Sequence, residues 1–158
     1  MKSAYGRQSP APDYELTCVE PGSPMGELMR RYWQPVCTSD ELRDLPRKEQ
    51  LLCEEVVVFR DKRGRVGALD PHCAHRGTSL EWGRVEEDGL RCCYHGWLYD
   101  TQGQCIDMPC ETEEFRKAMD VWQPLPGDGI WRSCLCLYGP ARHRAVVPPL
   151  RRHRPGLE

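Results

Sequence analysis

The sequence predicts an all-β fold: small antiparallel sheets carrying two ligand-bearing loops at hairpin tips, with one short N-terminal helix. Three observations predict it. The β-branched run Val56 to Phe59 turns at Asp61-Lys62-Arg63-Gly64 and returns through Arg65 to Leu69. Leu98-Tyr99 and Gln104 to Ile106 flank a second turn, Asp100-Thr101-Gln102-Gly103. Between these hairpins lie two loop-like stretches, Pro71 to Gly77 and Arg91 to Gly96, both rich in Cys and His.

The elements follow in order. A chain of 158 residues suits one domain with a modest core. Residues 1–22 have little periodicity and read as an extended arm. Ser23 and Pro24 form a helix start, because Ser can cap free N–H groups and Pro fits the first turn. The helix is expected from Pro24 to about Trp33, stopping before Pro35, with Leu28 and Tyr32 on one face. From Gln50 onward the pattern is β. The expected division is an arm and helix over 1–30, the ligand-bearing domain over 31–138, and a basic, Pro-rich, disordered tail over 139–158. From Arg132 to the end there are six Arg and one acidic residue, interrupted by Pro148, Pro149 and Pro155.

Composition narrows the class. The net charge of −2 gives no basic excess to suggest nucleic acid as a partner. No apolar run approaches the roughly 20 residues that span a bilayer. Met1 to Pro12 lacks an apolar h-region, so the protein is expected in the cytoplasm. Ten cysteines mean either a disulfide framework or metal ligation with spare thiols, and a reducing compartment favours metal.

The spacing points to the chemistry. The loops read Cys73-Ala74-His75 and Cys92-Cys93-Tyr94-His95, a C-x-H and a C-x-x-H separated by sixteen residues. Two thiolates and two imidazoles, one of each per loop, suit a mixed-ligand [2Fe–2S] cluster with Cys73 and Cys92 on one iron and His75 and His95 on the other. Gly77 and Gly96 follow the His residues where the backbone must bend closely. Zinc is the competing reading, since two Cys and two His also form a zinc set, although zinc fingers place like residues together. His72 is a weaker candidate ligand, and a one-residue slip would substitute Cys93 for Cys92. The other seven cysteines read as buried small residues or free thiols. Trp82 and Trp97 could shield the cluster or simply pack in the core.

Pro71 to Gly77 and Leu90-Arg-Cys-Cys-Tyr-His-Gly-Trp97 resemble the Rieske domain of aromatic ring-hydroxylating oxygenase alpha subunits. Gly22 to Val36 and Cys105-Ile-Asp-Met-Pro-Cys-Glu111 resemble the phthalate 4,5-dioxygenase-like oxygenase component. The resemblance covers roughly 15 to 118. It implies an electron relay. A reductase or ferredoxin loads the cluster, and the cluster reduces a mononuclear non-haem Fe(II) in an oxygenase catalytic domain or subunit that hydroxylates an aromatic substrate. By position, His75 and His95 are the candidates for the electron exit, beside a carboxylate of a neighbouring subunit. High-potential Rieske proteins add a disulfide between the loops and a hydroxyl bonded to sulfur. Here the first loop continues Arg76-Gly77-Thr78, and Trp97 stands where that group has Ser. The expectation is therefore a potential near the low end of the Rieske range, about −150 mV.

The resemblance has limits. The catalytic domain, with its two-His, one-carboxylate iron site, is expected to be lacking, because only His143 and His153 follow His95. Leu137-Tyr138-Gly139-Pro140 echoes the family pattern, whereas Trp131 to Cys136 and the tail do not. A truncated oxygenase gene is one reading; without the iron site, activity of this chain alone is an open question. A free-standing Rieske-type ferredoxin and a non-functional gene remnant are the alternatives. The helix at Pro24 and the Asp107-Met108-Pro109 segment favour an oxygenase origin.

Overall fold

A computed structural model describes residues 11–118, residue 121 and the backbone of 135–138. The expected tail over 139–158 lies outside the described residues.

The N-terminal segment is less extended than expected. Asp13 caps a single helical turn, α1 (Tyr14–Thr17), by accepting from the Glu15 N–H. Helix α2 (Pro24–Met29) starts where expected, with the Ser23 hydroxyl accepting from the Gly26 N–H. It ends four residues early. The Arg30 guanidinium is buried and donates to the Val19 and Leu52 carbonyls and twice to the Glu54 carboxylate, at 2.7 and 2.9 Å. This many-pronged tie fixes the helix end against the sheet, and the chain then turns. Leu28 and Tyr32 are both exposed, so they form no shared packing face.

β structure begins earlier than Gln50, at β1 (Gln34–Thr38). It pairs in parallel with the late strand Leu135–Tyr138. A second, three-stranded antiparallel sheet comprises β2 (Arg47–Leu51), β3 (Glu54–Arg60) and β4 (Val66–Leu69). The third sheet has four antiparallel strands: β5 (Arg84–Glu86), β6 (Gly89–Arg91), β7 (Leu98–Tyr99) and β8 (Cys105–Asp107). A short helix, α3 (Glu113–Ala118), follows. The β5–β6 pair was not foreseen, because three-residue strands are too short to show a period.

Two expected turns share one construction. At Asp61 and at Asp100 the Asp backbone N–H bonds the carbonyl four residues on, and the Asp side chain accepts from that same residue's N–H. The strand run Val56 to Phe59 is buried on both faces. Val56 and Val58 pack with Leu42, Val66 and Ala68, whereas Val57 and Phe59 pack with Leu69, Leu80, Leu90 and Tyr99. The second group is the larger core and joins the two antiparallel sheets. Each fully buried large side chain there contributes about 1.5–3 kcal/mol of hydrophobic stabilisation. Cys73 and Cys92 belong to this core.

Candidate metal centre

The two Cys/His loops are built alike. In the first, the Cys73 N–H donates to the Thr78 carbonyl at 2.9 Å and the Gly77 N–H to the Cys73 carbonyl at 2.8 Å. In the second, the Cys92 N–H donates to Trp97 at 2.8 Å and the Gly96 N–H to Cys92 at 3.2 Å. Each frame leaves its Cys at the loop root, in the core, and turns its His back over it. Gly77 and Gly96 close the frames at φ of 69° and 75°, the left-handed region that disfavours a side chain.

The loops occupy different places in the topology. The second joins paired neighbours β6 and β7, so it is a hairpin tip, as expected. The first is not a hairpin tip. It carries the chain from β4 in one sheet to β5 in the other, closed by a lone His72–Ser79 bridge. Its Cys73 and His75 are therefore placed by the packing of two sheets against each other.

The four side chains come together. Cys73 and Cys92 are both buried in one core cluster, and the nearby Cys92 thiol adds to the upward push that burial gives the Cys73 thiol. The His75 and His95 ring centroids lie 4.6 Å apart, edge to face. Trp97 stacks on His75 at 4.7 Å with the planes 4° apart, so it covers one face of that ring. Tyr94 lies against His95 at 3.7 Å. Trp82 is 71 % exposed. His72 points into solvent beside Asp70, and Cys93 is exposed where Cys92 is buried.

The donor set fits a two-iron cluster. The His75 Nδ1 atom is buried without a hydrogen-bond partner, which is costly for a polar atom unless something ligates it. Its Nε2 faces outward, 3.7 Å from the Glu111 carboxylate. Burial lowers the His95 imidazole, with the nearby His75 and Arg76 adding to the effect, and the neutral ring is the ligating form. Burial pushes the Cys73 thiol up, and an iron ion reverses that, because a coordinated thiol is deprotonated. Among the described residues no group of three His, Cys, Asp or Glu side chains is arranged to hold a single metal ion.

Three surrounding residues had no role in the sequence reading. The Tyr99 hydroxyl lies 3.1 Å from the Cys73 sulfur. Burial pushes the Tyr99 phenol far up, so it stays protonated and donates to a thiolate. This adds a hydrogen bond to sulfur that the expectation of a very low potential had left out. Arg91 donates to the Gly96 carbonyl, to Glu86 at 2.9 Å and to Asp107 at 2.8 Å, tying the second loop to β5 and β8. Glu111 is the third. Only Tyr99 had a legible signal, its place two residues after Trp97 on a strand leaving the ligand loop.

A family model described as the Rieske [2Fe–2S] domain matches residues 32–125. The alpha subunit of phenoxybenzoate dioxygenase from Ectopseudomonas oleovorans is 45% identical over 147 residues, 92% of this chain and 36% of that protein. The oxygenase subunit of tert-butanol monooxygenase / tert-amyl alcohol desaturase from Aquincola tertiaricarbonis is 51% identical over 117 residues, 73% of this chain and 25% of that protein. The phthalate 4,5-dioxygenase oxygenase subunit of Pseudomonas putida is 45% identical over 106 residues, 65% of this chain and 24% of that protein. The chain thus spans about a quarter to a third of the length of these curated relatives. No helix among the described residues is long and apolar enough to cross a membrane.

Proposed function

Because the chain belongs to the Rieske [2Fe–2S] domain family, we propose that it is the electron-relay domain of a ring-hydroxylating oxygenase component, with Cys73 and Cys92 on one iron of its cluster and His75 and His95 on the other. The observation that carries the ligand set is the pair of matching loop frames, which place two buried thiols in one core cluster and two imidazoles 4.6 Å from each other. The relatives' names as oxygenase subunits support the place in a multi-component system.

When bound, the cluster supplies a one-electron couple. The chain's own residues do the rest. Cys73 and Cys92 anchor the inner side in an apolar core that excludes water. His75 and His95 occupy the outer side at the loop tips, the edge nearest any redox partner. Tyr99 donates to the Cys73 sulfur, and Trp97 shields one face of His75. The electron donor is a reductase or ferredoxin in the cytoplasm. The acceptor is a mononuclear non-haem iron in an oxygenase catalytic domain or subunit acting on an aromatic substrate.

The test is anaerobic purification, iron and sulfide analysis, and EPR after dithionite reduction. The expected result is two irons and two sulfides per chain with a rhombic signal of average g near ~1.9, as mixed Cys/His ligation gives. Cys73→Ala and Cys92→Ala abolish it, whereas His72→Ala and Cys93→Ala retain it. A protein that binds zinc or no metal, or one in which Cys93→Ala loses the signal and Cys92→Ala does not, refutes the assignment.

A further inference from the structure

The segment from Asp107, the last residue of β8, to Glu111 lies along the two Cys/His loops. Four contacts join them. Asp107 pairs with Arg91, whose guanidinium also holds the Gly96 carbonyl. Pro109 sits against Gly96, where an added Cβ would meet its Cγ at 3.0 Å. The Cys110 thiol donates to the His95 carbonyl at 3.4 Å. The Glu111 carboxylate stands 3.7 Å from His75 Nε2, with both side chains about four-fifths buried (22 % and 19 % exposed). Met108 is buried, and the Glu111 N–H bonds its carbonyl at 3.0 Å, so the segment is fixed at both ends.

This places one carboxylate of the domain itself at the outward nitrogen of a ligand imidazole. Two ferric irons, two sulfides and two thiolates with neutral imidazoles carry no net charge, and gaining one electron makes the assembly −1. A nearby negative charge disfavours that gain. A carboxylate facing a ligand His N–H also raises the ring's basicity, which favours the ferric state. Both effects have the same sign.

Resting on the ligand set proposed above, we propose that Glu111 is a positioning residue for His75 that lowers the cluster's reduction potential, and that the Asp107–Glu111 segment is the third wall of the site. It sets the potential against the opposing Tyr99 donor on Cys73.

The experiment is a redox titration of the iron-loaded domain at one pH and ionic strength, followed by EPR. Glu111→Gln is expected to raise the midpoint potential and to change the g anisotropy while the iron content stays full. Glu111→Asp, which withdraws the carboxylate by one methylene, is expected to give a smaller rise. Glu114→Gln, an exposed change on α3, is expected to leave the midpoint at the wild-type value. An iron-loaded Glu111→Gln protein with the wild-type midpoint overturns the proposal. Should that variant retain no iron, an unchanged midpoint in Glu111→Asp overturns it instead. Failure of the wild-type chain itself to form the cluster would remove the ligand assignment, and this inference with it.

Discussion

Tyr99 and Glu111 touch the two ends of one ligand set with opposite effect. Tyr99 is fully buried with its hydroxyl on Cys73, and burial keeps it protonated. A donor to sulfur withdraws electron density from iron and favours the reduced form. Removing it with Tyr99→Phe is expected to lower the midpoint potential. A net hydrogen bond of about 1 kcal/mol corresponds to on the order of 40 mV for one electron. Equilibrium redox titration checks this, and an equal or higher potential would refute it. The same substitution also removes the Tyr99 hydroxyl from the Cys73 sulfur in the apo domain, where a modest loss of stability is expected. Arg91 differs from both, because its guanidinium is held by Glu86 and Asp107 and its role is to pin a carbonyl.

The two ligand loops are the elements to compare, because they share a frame and differ in surroundings. An added Cβ at Gly77 meets nothing within 4 Å, whereas at Gly96 it meets Pro109. Both sit at positive φ, so either Ala substitution costs roughly 1–2 kcal/mol from the backbone alone. Gly96→Ala is expected to cost more, because the Asp107–Glu111 segment must also move. Urea midpoints of the iron-loaded variants test the order, and a larger loss at Gly77 would contradict it. The segment's displacement should further show as an altered EPR signal in Gly96→Ala alone. Helix α2 teaches a related lesson. Its start is local, through the Ser23 cap, but its end is set by Arg30 reaching the β2–β3 turn.

At the scale of the molecule, the strands of the four-stranded sheet are tied together by charge as well as by the core. Glu86 on β5 pairs with Arg91 and Arg84, and the hydrogen bond from Arg91, more than that from Arg84, holds its carboxyl below the usual value of 4.5. The sign follows directly. A carboxyl whose folded pKa lies below its unfolded one contributes stability that is fully present above about pH 4.5 and is lost as the pH falls through the depressed folded value. Glu86→Gln is therefore expected to lower stability near neutral pH and to flatten the acid limb of the profile. Urea unfolding at a series of pH values from neutral to strongly acidic measures this. A variant with the wild-type slope would show that the pair contributes nothing to the pH dependence.

Read from the residues, the sequence by itself determined the all-β class, the two Asp-to-Gly turns and the Cys73/His75 and Cys92/His95 pairs. Each of these is a local pattern: turn residues at fixed offsets, a β-branched run, a ligand spacing within one loop. It did not determine that the first loop is a crossover between sheets, because strands β5 and β6 are too short to carry a period. Spacing favoured Cys92 over Cys93, and it is the fold that buries Cys92 and leaves Cys93 exposed. Tyr99 on Cys73 and Glu111 on His75 are separated along the chain by 26 and 36 residues, and no spacing rule connects them. Only the packing of one sheet on the other brings such groups within a few ångströms, since side chains on facing sheets meet by register and twist, which short-range sequence does not encode.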